Sequence, residues 1–129
     1  MADLTGKTFR NVDPRVVKVI ETMSRNLHRH LPVGGMAASV NLSYSRLEHL
    51  FKAETGMTPV SYLKKLRIEK ARQLLETTFL TNQQIIIQVG MYDESHFAKD
   101  FKKTYGLVPS QYRKQHHALS NADGNGKDG

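Results

Sequence analysis

Two stretches of this chain, FKAETGMTPVSYLK at 51–64 and FKKTYGLVPSQYRK at 101–114, carry one pattern fifty residues apart. At that offset Ser45/Ser95, Phe51/Phe101, Lys52/Lys102, Gly56/Gly106, Pro59/Pro109, Tyr62/Tyr112 and Lys64/Lys114 are identical, and Leu47/Phe97 and Met57/Leu107 stay apolar. Upstream the offset is forty-nine: Met36/Ile85, Ala37/Ile86, Val40/Val89 and Leu42/Met91 match in type. The second copy therefore holds one extra residue between its two helices. Each copy has the grammar of a helix-turn-helix: a short helix, a tight turn at Asn41 or Gly90, and a second helix whose apolar residues pack on the first. Chain reversal at the turn favours a positive φ, which Gly and Asn tolerate best. One such pattern arises easily by chance; two in one short chain do not.

Helix signals dominate elsewhere, apart from strand-like TFRNV near the start. Asp13 as N-cap with Pro14 at the first helical position predicts a helix to about His30, its apolar face carried by Val16, Val17, Ile20, Met23, Ser24 and Leu27. Pro32 restarts the chain into VGGMAASV, and Ser43 caps the next helix, which stops at Gly56. Thr58-Pro59 launches a long helix to about Thr77, a rod of roughly 28 Å. Thr81 with Gln84 forms a capping box for NQQIIIQV, Asp93 caps a helix ending at Gly106, and Pro109 starts a last one through Arg113. The chain is expected to be all-α: an extension (1–12), a first helix-turn-helix unit (13–57), a linker helix (58–77), a second unit (78–116) and a disordered tail (117–129).

Setting Leu47 at 0° and advancing about 100° per residue places Leu50 and Phe51 on the buried stripe. Ser45, His49 and Lys52 cluster opposite, flanked by Glu48 and Arg46. In the second copy Phe97 and Phe101 face inward. Ser95, Lys99 and Lys102 face out, with Ala98, His96 and Lys103 beside them. On a lone helix such a face is usually just solvated. Here the inner residues repeat while the outer ones diverge, which suits two helices that read different sequences. Ser, His and Lys can hydrogen-bond base edges, and Glu48 can accept from a cytosine amino group. Lys52, Lys102 and Lys103 suit phosphates, which position a protein without reading sequence.

Composition agrees. Nineteen Lys+Arg against twelve Asp+Glu give a net charge of +7, which favours anionic partners. Cysteine is absent, so there is no thiolate nucleophile, disulfide framework or cysteine-held metal. No apolar run reaches the length of a membrane span and no signal-peptide core precedes the first helix, so a soluble cytoplasmic protein without a membrane partner is expected. His28 and His30 do not share a helix face, and no metalloprotease motif, Gly-rich phosphate loop or nucleophile elbow occurs. An enzyme is disfavoured, with no cofactor or metal expected. RNA binding lacks a platform of exposed aromatics. A helical protein-interaction module without DNA binding remains the alternative.

The blocks LFKAETGMTPVSYLKKLRIEKARQLL and VGMYDESHFAKDFKKTYGLVPSQYRK resemble the AraC/XylS-type DNA-binding domain. The second carries V-G, D-x-S-x-F, F-K-K and G-x-x-P-x-x-Y-R in order, and the likeness extends over roughly residues 14 to 115. The resemblance implies two helix-turn-helix units on a linker helix, with two recognition helices in successive major grooves of double-stranded DNA. A rod of about 28 Å with packing offsets suits one helical repeat of roughly 34 Å. Tandem readers in one chain also imply a non-palindromic site. By position, the base-facing residues would be Ser45, Glu48 and His49, then Glu94, Ser95, Ala98 and Lys99. Phosphate contacts would come from Arg46, Lys52, Thr58, His96, Lys102, Lys103, Tyr112 and Arg113. The resemblance further implies transcriptional activation and contact with RNA polymerase; many members carry a separate effector or dimerisation domain, and the chain is either a small stand-alone regulator or one domain of a larger protein. Departures from the pattern are Gly34-Gly35 in the first short helix, costing about 1 kcal/mol each relative to Ala, Ile86 at a close helix contact, Asn82 at a usually apolar position, and Asp100 at the edge of the buried stripe.

Overall fold

Asp13 accepts hydrogen bonds from the Arg15 amide at 2.8 Å and from Arg15 Nε and Nη2 at 3.1 and 2.9 Å. With Pro14 at the first helical position it starts α1 (Pro14–Arg25). The computed structural model describes residues 12–124, with side chains as far as residue 117. The strand-like TFRNV lies outside the described residues except for Val12, which is buried. Among the described residues there are seven helices and no strand.

The chain divides into two compact units, residues 1–66 and 67–129. The first holds α1, α2 (Val33–Ser39), α3 (Tyr44–Thr55) and the first half of α4 (Pro59–Thr77). Its core gathers Val16, Val19, Ile20 and Met23 from α1, Met36 and Ala37 from α2, Leu47 and Phe51 from α3, and Tyr62 and Leu63 from α4. The second holds the rest of α4, then α5 (Asn82–Gln88), α6 (Glu94–Tyr105) and α7 (Pro109–Gly124). Ile68, Ala71, Leu74 and Leu75 of α4 pack there with Ile85, Ile86, Val89, Phe97 and Phe101. The linker expected at 58–77 is thus one helix, but the division between units falls inside it. Its first half closes the first core and its second half opens the next.

Two elements differ from the sequence expectation. The first helix stops at Arg25, because Asn26 leaves helical geometry (φ −132°, ψ 34°) and ties its side chain to the Thr22 carbonyl at 2.8 Å. Leu27 then packs on the core from a turn rather than from a fourth helical turn, Ser24 is exposed, and Val19 is the buried residue between. The last helix continues past Arg113 to Gly124. Residues 114–123 contain neither Gly nor Pro and therefore no breaker. Residues 117–124, expected in the disordered tail, are helical, and the remainder of that tail lies outside the described residues.

Candidate nucleic-acid interface

Each recognition helix is held by a turn built the same way twice. Asn41 and Gly90 stand at φ 61° and 76°. The amides of Asn41 and Leu42 donate to the carbonyls of Ala38 and Ala37 at 3.0 and 2.9 Å, closing α2 in a Schellman arrangement. Gly90 and Met91 repeat it on Ile87 and Ile86 at 3.2 and 3.0 Å. The residue after the turn, Leu42 or Met91, packs against its own core. The extra residue of the second copy is Tyr92, which is 81% exposed and so leaves the packing register untouched.

The helix starts differ in chemistry. Ser43 caps α3 by accepting from the Arg46 amide at 3.2 Å. Asp93 caps α6 by accepting from the amides of Ser95 and His96 at 2.9 and 3.4 Å, with His96 Nδ1 3.3 Å from its other oxygen. The His96 ring first, and then those amides, hold the Asp93 carboxyl below its ordinary range. With Nδ1 turned to Asp93, His96 can donate to a phosphate through Nε2 only as the imidazolium. Both helices end at a left-handed glycine, Gly56 (φ 81°) and Gly106 (φ 86°). Behind them the core aromatics repeat as well. Phe51 meets Tyr62 edge-on with centroids 5.3 Å apart, and Phe101 meets Tyr112 edge-on at the same 5.3 Å.

Against this shared frame, Leu47, Phe51, Phe97 and Phe101 are completely buried, while Ser45, Arg46, His49 and Lys52 on α3 and Glu94, Ser95, His96, Lys99, Lys102 and Lys103 on α6 are exposed. Glu48 and Ala98, at matching positions, are half-buried. The expected base-facing residues of each unit therefore share one outward face of its recognition helix. On α3, His49 Nδ1 lies 3.1 Å from the Ser45 carbonyl. Lys102 and Lys103 occupy the last turn of α6, whereas α3 has only Lys52 in its last turn. Thr58 caps α4, its hydroxyl accepting from the Ser61 amide at 3.2 Å.

Tyr112 and Arg113 are placed otherwise. Both are half-buried, the Tyr112 hydroxyl and Arg113 Nη2 being engaged inside the second unit while Arg113 Nε is buried without a partner among the described residues. The Tyr112 hydroxyl donates to Glu76, whose carboxylate also accepts from Arg72 Nη1 at 2.7 Å. Arg72 lies over the Tyr105 ring at 5.9 Å, and Arg113 Nη2 donates to the Thr78 carbonyl at 3.3 Å. This cluster fastens α7 to the end of α4. Sequence reasoning missed Arg72 and Glu76. Their i,i+4 spacing was visible, but the Tyr112 partner, thirty-six positions from Glu76, was not. Among the described residues no helix is long and apolar enough to cross a membrane.

Comparison with known proteins places this architecture. A helix-turn-helix domain family model matches residues 36–115. The arabinose operon regulatory protein of Salmonella typhimurium is 35% identical over 114 residues, covering 88% of this chain and 41% of that protein. The transcriptional regulator MtrA of Neisseria gonorrhoeae is 30% identical over 113 residues, 88% of this chain and 38% of that protein. The chain spans about two fifths of the length of these relatives. An AraC-type transcriptional regulator from Chromobacterium violaceum superposes with TM-score 0.75 at 30% identity, covering 80% of this chain and 92% of that one. The DNA-binding domain of AdpA, solved with a target DNA, has the same fold, with TM-score 0.78 at 24% identity over 81% of this chain and 95% of that one. These matches agree with one another: the chain belongs to the AraC/XylS-type family of helix-turn-helix DNA-binding domains.

Proposed function

We propose that this chain is a sequence-specific double-stranded DNA-binding regulator of transcription, an activator, with α3 and α6 reading two successive major grooves. The observation that carries this is the contrast between the two recognition helices. Their inward residues and turns repeat, while the outward trio changes from Ser45, Glu48 and His49 to Ser95, Ala98 and Lys99. On so constant a frame the outward side chains, with Glu48 and Ala98 half-buried and the others exposed, change in hydrogen-bonding character, as two readers of different sequences require. Glu94 joins the base-facing set at the first position of α6. Arg46, Lys52, His96, Lys102, Lys103 and the helix start at Thr58 serve the phosphates. Tyr112 and Arg113 serve them through the position they give to α7. Two non-equivalent readers in one chain call for a non-palindromic site. A cytoplasmic setting on the nucleoid, contact with RNA polymerase, and an effector or dimerisation domain outside these residues complete the reading, in keeping with the longer relatives.

Duplex DNA neutralised by n cations gives a binding constant that falls with salt as roughly −0.9n on logarithmic axes. Titrating salt against a random duplex tests the reading directly. Steep weakening is expected, with a slope about two units shallower for the Lys102/Lys103 double alanine variant and about one unit shallower for Lys52→Ala. Failure of micromolar protein to retain any duplex at low salt would sink the proposal, and equal slope losses would remove the asymmetry between the helix ends.

A further inference from the structure

Resting on that duplex-DNA reading, we infer that at one matched pair of positions the two units read opposite base edges in the major groove: Glu48 and His49 take hydrogen-bond donors, whereas Lys99, beside Ala98, takes acceptors. His49 Nδ1 faces the Ser45 carbonyl at 3.1 Å, and a carbonyl can only accept. Nδ1 therefore carries the proton of the neutral ring, and the distal nitrogen Nε2, on an exposed side chain, is left as an acceptor. One position before it stands Glu48, whose carboxylate only accepts. The outward face of α3 thus presents two neighbouring acceptors, which match the free amino hydrogens of cytosine N4 and adenine N6.

Fifty residues on, the same two positions are Ala98 and Lys99. Lysine has three donors and no acceptor, which suits guanine O6 and N7, and the alanine methyl suits the thymine methyl. Ser45 and Ser95 are common to both units and can donate or accept, so they do not separate the two. Tyr44 and Glu94 stand at the first helical position of α3 and α6, a turn before the discriminating pair, and Glu94 adds an acceptor of its own there, so the reversal is confined to that pair. The backbone frame is the same in both units, so the reversal of polarity comes from two side chains and one intrahelical hydrogen bond.

The test uses the full chain at pH 8. Duplexes are selected from a random library, and the two stretches of the recovered site are assigned to the units by which one changes with His49→Ala and which with Lys99→Ala. Base analogues then report which edge is read, independent of the letters. N4-methylcytosine and N6-methyladenine block the free amino hydrogen, whereas 7-deazapurines delete the N7 acceptor. In the His49-dependent stretch the methylamino bases should weaken binding about fivefold or more, in proportion to a lost base contact, and 7-deazapurines by less than about twofold. The Lys99-dependent stretch should show the reverse, His49→Ala should reduce the sensitivity to methylamino bases in its own stretch, and only His49→Ala combined with Glu48→Ala should erase it. The same analogue weakening both stretches, a reversed pattern, or duplex retained without sequence preference would each overturn the inference while leaving DNA binding intact. Loss of all duplex retention would overturn both.

Discussion

Gly35 and Gly106 are both exposed glycines, and an added Cβ meets nothing within 4 Å at either. Their replacement by alanine should nevertheless act in opposite directions, because only backbone conformation distinguishes them. Gly35 lies inside α2, where alanine is favoured by up to about 1 kcal/mol. Gly106 closes α6 at φ 86°, a region that costs an L-residue about 1–2 kcal/mol. Gly35→Ala should raise the thermal midpoint by up to about 4 °C, and Gly106→Ala should lower it by a comparable or larger amount. Differential scanning calorimetry checks both, and a midpoint lowered by Gly35→Ala would mean that α2 needs its glycines. The repeat made Gly106 readable in advance, since Gly56 and Gly106 both precede a Thr-Pro or Val-Pro helix start by two residues. The contact of His49 Nδ1 with the Ser45 carbonyl was not readable, because it depends on a side-chain rotamer rather than on residue type or spacing.

At the scale of elements, the docking of α7 on α4 rests on an ionisable cluster and should therefore depend on pH. The Tyr112 hydroxyl, followed by Arg72, holds the Glu76 carboxyl below its ordinary value of 4.5, while the same contact raises the Arg72 guanidinium. A carboxyl depressed in the folded state contributes stability that is fully present above its ordinary pKa and lost as pH falls through the folded one. Hydrogen-exchange protection of α7 should accordingly decline as pH drops below 4.5. Glu76→Gln should weaken that protection at neutral pH and flatten its acid limb; an unchanged acid limb would place the titration elsewhere. Local chemistry made the helix starts legible. Asp13, Ser43, Thr81 and Asp93 cap where a short polar side chain precedes a helical pattern, and the Thr81–Gln84 capping box forms in full. Helix ends were harder. Asn26 stops α1 through a bond to Thr22, with no glycine or proline to announce it, and α7 continues because nothing interrupts it.

For the whole molecule, the two hydrophobic clusters share no residue, although both draw on α4. The sequence pattern carried this far: the doubling of Phe51 as Phe101 and of Tyr62 as Tyr112 already implies two separate cores. The split of one helix between them was hidden, because α4 reads as a continuous periodic run. Separate cores make damage to one unit local. Phe101 is completely buried, in contact with Phe97, Tyr105 and Tyr112. Its replacement by alanine should cost about 3–5 kcal/mol through lost burial and a residual cavity. That loss should appear in the exchange of amides in α5, α6 and the end of α4, while amides of α1 to α3 keep most of their protection. Phe51→Ala should give the mirror image. Binding should divide in the same way: Phe101→Ala should flatten base preference in the Lys99-dependent stretch and preserve it in the His49-dependent one, at reduced overall affinity. If either substitution instead unfolds both units together, the continuous α4 couples the cores more strongly than their packing separates them, and the two readers must then be treated as one cooperative element.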